Sequence, residues 1–114
     1  MRFLLIMTIA VVAVARSCHK EKSGIIPVCI QRKIDSIKTQ PKWNPPAQVD
    51  AYEYNGKTVY LFSSNCCDQY NELYDVQCRY ICAPTGGYTG KGDGNCADFT
   101  TTAKHIKTVW KDDR

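Results

Sequence analysis

The sequence predicts a small disulfide-rich α+β domain, one N-terminal helix packed on a short antiparallel sheet of a hairpin plus one or two further strands. Three observations carry that reading. Asn55-Gly56, the preferred pair for a two-residue type I′ turn, separates two runs rich in valine, tyrosine and phenylalanine. Ile30, Ile34 and Ile37 recur at spacings of four and three, which is one stripe of a helix. The stretch Cys66 to Cys96 holds five of the seven cysteines and five of the seven glycines, a composition that fixes its conformation through covalent links and turns.

At 114 residues the chain has room for one domain, and its start reads as something other than fold. Met1-Arg2 followed by the apolar run Phe3 to Ala15 has the pattern of an export signal, expected over residues 1–17. Two ends compete. Ala13-Val14-Ala15 suits ordinary signal peptidase and would release a soluble secreted protein beginning at Arg16. Ala15-Arg16-Ser17-Cys18 is a degenerate lipobox, in which Cys18 would be lipidated and anchor the protein to the bacterial cell envelope, at the outer membrane or periplasmic face. Parity favours the second reading. Seven cysteines in an oxidising compartment leave one thiol over, whereas lipid on Cys18 leaves Cys29, Cys66, Cys67, Cys78, Cys82 and Cys96 for three disulfides. Residues 18–26 are then a tether and 27–114 the domain. Loss of residues 1–17 removes Arg2 and Arg16 and lowers the net charge from +4 to +2, with the remaining bases scattered, which excludes a nucleic-acid partner.

The helix is expected from Pro27 to Lys38, because proline suits a first turn and Pro41 forbids a longer helix. About three turns are marginal in isolation, so it must dock through its isoleucines. Pro41 to Pro46 is a stiff connector in which Trp43 is either core or an exposed binding aromatic. In the hairpin, Gln48 to Tyr54 and Lys57 to Ser63, neither face is cleanly polar, so one is expected to meet the helix and the other to meet loops. Beyond it we expect a turn over Asp75 to Arg79, a third strand over Arg79 to Ala83 beside the hairpin, and a compact loop over Pro84 to Gly94 closed by Cys96. The tail from Phe99 to Trp110 favours a strand, with a short helix as the other option.

Six cysteines allow fifteen pairings. Neighbouring side chains diverge, so Cys66 and Cys67 are expected to find separate distant partners. No Cys-x-x-Cys pair occurs, which disfavours metal and thioredoxin-like chemistry, and no cofactor is expected. A phosphate loop fails at two positions, since Thr85 stands where its first glycine belongs and Gly92 where Ser or Thr should follow Lys91. Catalysis would rest on His105 alone, or on carboxylate pairs such as Glu72 with Asp75 or Asp93 with Asp98. Tyr70, Tyr74, Tyr80 and Tyr88 crowd the cysteine region, and tyrosine suits both recognition surfaces and small wet cores. The expected function is therefore a non-enzymatic module that binds an envelope protein or glycan through a loop carrying Tyr88, Lys91 and Asp93. A secreted-protease inhibitor probing with Lys91 is the alternative, and a small hydrolase built on His105 is a more distant one.

Several marks together resemble a known group: Cys66-Cys67-Asp68, Leu73-Tyr74-Asp75, Cys82-Ala83-Pro84 with Gly86-Gly87, Gly90 to Gly94 with Cys96, and Trp110-Lys111-Asp112. The chain resembles a family of small lipoproteins from Gram-negative bacteria defined as a domain of unknown function. The resemblance implies export and lipidation and carries over no catalytic residue.

Overall fold

A computed structural model describes residues 25–114. The expected signal segment, Cys18 and most of the tether lie outside the described residues. Helix α1 runs Val28–Lys38 and buries Ile30, Ile34 and Ile37, the stripe expected from their spacing. The carbonyl of Pro27 accepts its first backbone bond, from the Gln31 N–H at 2.9 Å. Thr39 closes it by donating both its N–H and its hydroxyl to the carbonyl of Ser36.

Strands β1 (Gln48–Tyr54) and β2 (Lys57–Phe62) pair antiparallel, with Asn55 and Gly56 at φ 51° and 74° as a type I′ turn demands. Strands β3 (Tyr70–Tyr74), β4 (Tyr80–Gly86) and β5 (Lys104–Lys111) complete a five-stranded antiparallel sheet in the order β4-β3-β2-β1-β5. The short helix α2, Phe99–Thr102, precedes β5, so the tail contains both expected forms in succession. One expectation needs correcting. The strand beside the hairpin is β3, and the segment from Arg79 forms the outer strand β4, which runs on through Gly86 into the region expected to be loop.

Alternation along β1 and β2 divides the apolar residues between two cores. Val49, Ala51, Tyr60 and Phe62 face α1 and pack with its three isoleucines and Ala47. Tyr54, Val59, Leu73, Cys82, Cys96 and Phe99 form the other core, on the side of α2. Each fully buried isoleucine contributes roughly 1.5–3 kcal/mol, enough to hold a helix too short to stand alone.

The disulfides are Cys29–Cys78, Cys66–Cys67 and Cys82–Cys96. Cys66 and Cys67 thus bond each other, contrary to expectation. The divergence of neighbouring side chains in an extended chain is overcome within a tight turn, in which the Gln69 N–H donates back to the Cys66 carbonyl. That leaves Cys29 to tie α1 to the β3–β4 turn, while Cys82–Cys96 is buried in the second core.

A clamp at the carboxyl end fixes the tail to the helix. The Asp112 N–H donates to Ala47, while its carboxylate accepts two guanidinium bonds from Arg114, whose Nη1 also reaches the carbonyls of Lys38 and Gln40 at 3.0 Å each. Arg114 holds the Asp112 carboxyl down at about 2.

Two outcomes are expected. Since loop closure is what a cross-link removes from the unfolded chain, Cys82→Ser with Cys96→Ser should cost about 3 kcal/mol and opening Cys29–Cys78 about 4 kcal/mol, whereas Cys66→Ser with Cys67→Ser should cost far less. Denaturant titrations of the paired variants test the order; alkylation under graded reductant should label the exposed Cys66 and Cys67 first. The second concerns acid. The folded Asp112 carboxyl titrates below its unfolded value of about 3.9, so its stabilisation is complete above that pH and lost as pH falls through about 2. The Tm difference between wild type and Arg114→Ala should shrink over that window; a constant difference would contradict the clamp.

Candidate functional site: a groove between the helix and the sheet

Strand β3 presents Tyr70, Glu72 and Tyr74 on alternate positions, and the register sets Glu72 opposite Phe62 and Tyr74 opposite Tyr60, on the face that carries α1. The helix does not cover that face to the edge. Between α1 and β3 lies a groove of about 690 Å³. One wall is Lys33, Ser36 and Gln40, with Trp43 from the connector; the other is Tyr70, Glu72 and Tyr74. Ser63 to Asn65, Asp68 and Gln69 close one side, and Ile37 and Phe62 line the bottom.

The aromatic walls are held in place. The Trp43 indole Nε1 donates to Gln40 Oε1 at 2.9 Å, and one side of the ring packs on the first core. Trp43 is therefore half-buried, with part of its ring against the core and part facing the groove. Lys33 Nζ sits 4.0 Å from the centre of the Tyr74 ring, a cation–π contact. Burial, and then the hydrogen bond to Glu72, push the Tyr74 phenol above its ordinary value, so it remains a donor to that carboxylate.

The loop from Ser63 to Gln69 is shaped from within: Ser64 N–H donates to Asn71 Oδ1 at 2.9 Å and the Cys66–Cys67 ring sits at its tip. Its remaining polar side chains are not used up in that shaping. Among the described residues, Asn65, Asp68 and Gln69 make no side-chain hydrogen bond within the chain, while Asp50, Asp75, Asp93, Asp98 and Asp112 all do.

The glycine loop adjoins this groove through Tyr70. Gly86 and Gly87 take φ of 78° and 74°, and a Cβ on Gly87 would come within 2.4 Å of the Tyr70 ring. Glycine is required there for the ring to lie against the loop. Tyr88 is 91% exposed beyond it, and Lys91 is also exposed. Asp93 behaves differently from the other two loop residues singled out from sequence. It turns inward as a latch, accepting from Tyr80 Oη at 2.9 Å, Ala83 N–H at 3.1 Å and Asn95 N–H at 2.9 Å. The Asn95 N–H first, then the Ala83 N–H and the Tyr80 hydroxyl, hold its carboxyl below the usual carboxylate range against a desolvation that would raise it.

Of the catalytic candidates, Glu72 lines the groove, and His105 lies apart from it. His105 Nε2 meets Asp50 Oδ1 at 3.0 Å, and its ring packs edge-on to Tyr52 beside the second core. Burial raises the Asp50 carboxyl, but hydrogen bonds from His105, Thr108 and Gln48 outweigh it and set the value low. Among the described residues no serine, threonine or cysteine hydrogen-bonds His105. The carboxylate pairs are engaged separately: Glu72 with Tyr74, Asp75 with the Arg79 turn, Asp98 with Tyr54 and Asp93 with its latch.

Taken together, these features define a disulfide-stapled α+β domain with an aromatic groove on its helical face. The chain belongs to DUF6970, a domain of unknown function, which matches residues 35–112 and so includes the glycine loop and the groove apart from Lys33. No curated protein and no solved structure matches the chain.

The latch generates a test. Asp93→Ala should accelerate amide hydrogen exchange from residue 84 to residue 95 while leaving α1 protected; unchanged exchange in the loop would show that the glycine turns hold it without Asp93.

Proposed function

We propose that this protein is an exported, lipid-anchored module of the cell envelope that acts by binding rather than catalysis, with the groove between α1 and β3 as its ligand site. The observation that carries the binding role is the contrast in polar groups. Most structural carboxylates are engaged within the chain, whereas among the described residues Asn65, Asp68 and Gln69 have no side-chain partner and offer donors and acceptors beside the rings of Trp43 and Tyr70. A concave site lined by aromatics with a few convergent polar groups is the usual form of a small-ligand site. Rigid walls favour it too, because little conformational freedom is lost on binding.

Anchoring rests on the apolar start, on Cys18 and on cysteine parity, and it accords with the resemblance to bacterial lipoproteins. Protease inhibition is retained as a second reading because Tyr88 and Lys91 protrude from a loop latched by Asp93.

Two measurements test the proposal. Intact mass of the protein from its native membrane should begin at Cys18 with acyl chains added; a soluble species beginning at Arg16 would remove the anchor. Hydrogen exchange of the full chain in detergent, with and without envelope extract, should show protection confined to residues 33–43 and 63–74 and lost in Trp43→Ala. Protection centred on residues 86–91, together with protease inhibition lost in Lys91→Ala, would move the site to the loop.

A further inference from the structure

We infer that the ligand class of the groove is an uncharged oligosaccharide; this rests on the reading of the groove as the ligand site. A sugar ring offers an apolar C–H face and an edge of hydroxyls, each both donor and acceptor. The groove is built in the same alternation. Trp43 and Tyr70 supply flat apolar faces with polar tips, and beside them the carboxylate of Asp68 and the amides of Asn65 and Gln69 lack partners within the described chain. A carboxylate accepts from two hydroxyls, and an amide donates and accepts at once, which matches neighbouring hydroxyls on one ring.

Charge narrows the class. The groove carries Lys33 against Asp68 and Glu72, one positive group and two negative ones, so a ligand meets a net negative charge. No arginine lines it. Phosphates, uronic acids and other acidic glycans are therefore repelled.

A protein partner would be anchored by arginine and aliphatic side chains as well as by rings; the groove has no arginine, and the large aliphatics this domain exposes, Ile25, Val28, Ile81 and Ile106, all lie outside it. Those inside it, Ile37 and Phe62, are already 9% and 7% exposed at the bottom. At about 690 Å³ the groove falls in the range of sites for drug-sized ligands, room for more than one sugar ring.

The test uses the full chain in detergent, titrated by calorimetry with neutral cello-, xylo-, malto- and chito-oligosaccharides and with acidic oligogalacturonate. Binding is expected to at least one neutral series and not to the acidic one. Trp43→Ala and Asp68→Ala should each weaken it about tenfold, and Tyr88→Ala should leave it unchanged. Asp68 is exposed, so its variant guards against a loss caused by unfolding of Trp43→Ala. No saccharide binding, a preference for the acidic probe, or binding indifferent to both substitutions would overturn the inference. If protection of residues 33–43 and 63–74 by envelope extract persists after glycan digestion and vanishes after protease treatment, the saccharide class falls while the groove stands as a site. Absence of both saccharide binding and that protection would remove the two together.

Discussion

The disulfide Cys29–Cys78 is, among the described residues, the covalent tie between helix and sheet, and the groove depends on it. An eleven-residue helix has little stability of its own, and isoleucines alone would allow it to slide or rock on the sheet face. The tie sets α1 against the β3–β4 turn and so fixes one wall relative to the other. That turn is itself ordered by charge. Asp75 accepts from the N–H groups of Gln77 and Arg79 and from the Arg79 guanidinium, and Cys78 is thereby presented at a positive φ of 59°. At the other end of α1, Arg114 bonds the carbonyls of Lys38 and Gln40. The helix is thus secured at both ends by contacts from residues far away in sequence.

The second core does a different task. Cys82–Cys96, Phe99 and Tyr54 pack beneath β1, β2 and β3, and the rings of Tyr52 and Tyr54 meet Phe99 edge-on at 5.0 and 5.2 Å. It secures the segment after β4, and Asp93 joins that segment to the strand. Tyr70 lies where the two halves meet. Its ring belongs to the groove wall and rests on Gly87, so the conformation of the glycine loop and the shape of the groove are mechanically linked.

Local signals proved legible. The isoleucine spacing marked α1, Asn55-Gly56 marked the hairpin, and the mixed faces of β1 and β2 implied covering on both sides. Strand β3 carries no clear sequence signal because Leu73 is its one buried residue, so no alternating apolar run marks it. The Cys66–Cys67 bond was missed for a physical reason: side-chain direction in an extended chain argues against it, and the surrounding turn that permits it is not encoded in any short motif. Of the loop residues singled out, Tyr88 and Lys91 protrude, while Asp93 is turned inward by three donors that sequence spacing does not reveal. The groove was the least accessible feature. Its walls come from segments about thirty residues apart, and only the strand register and helix docking bring them together.

The bond between adjacent cysteines also bears on how the chain reaches a single oxidised form. A ring closed between neighbours encloses no intervening residues and ties together no distant parts of the chain. Once it exists, however, the fifteen ways of pairing the six thiols of the described residues contract to the three available to four. Of those three, the native one joins Cys82 to Cys96 across a separation of 14 and leaves Cys29 and Cys78 to meet when α1 docks. The neighbouring pair thereby withdraws two reactive sulfurs from the competition, and what it contributes is fewer wrong isomers rather than a tighter native state.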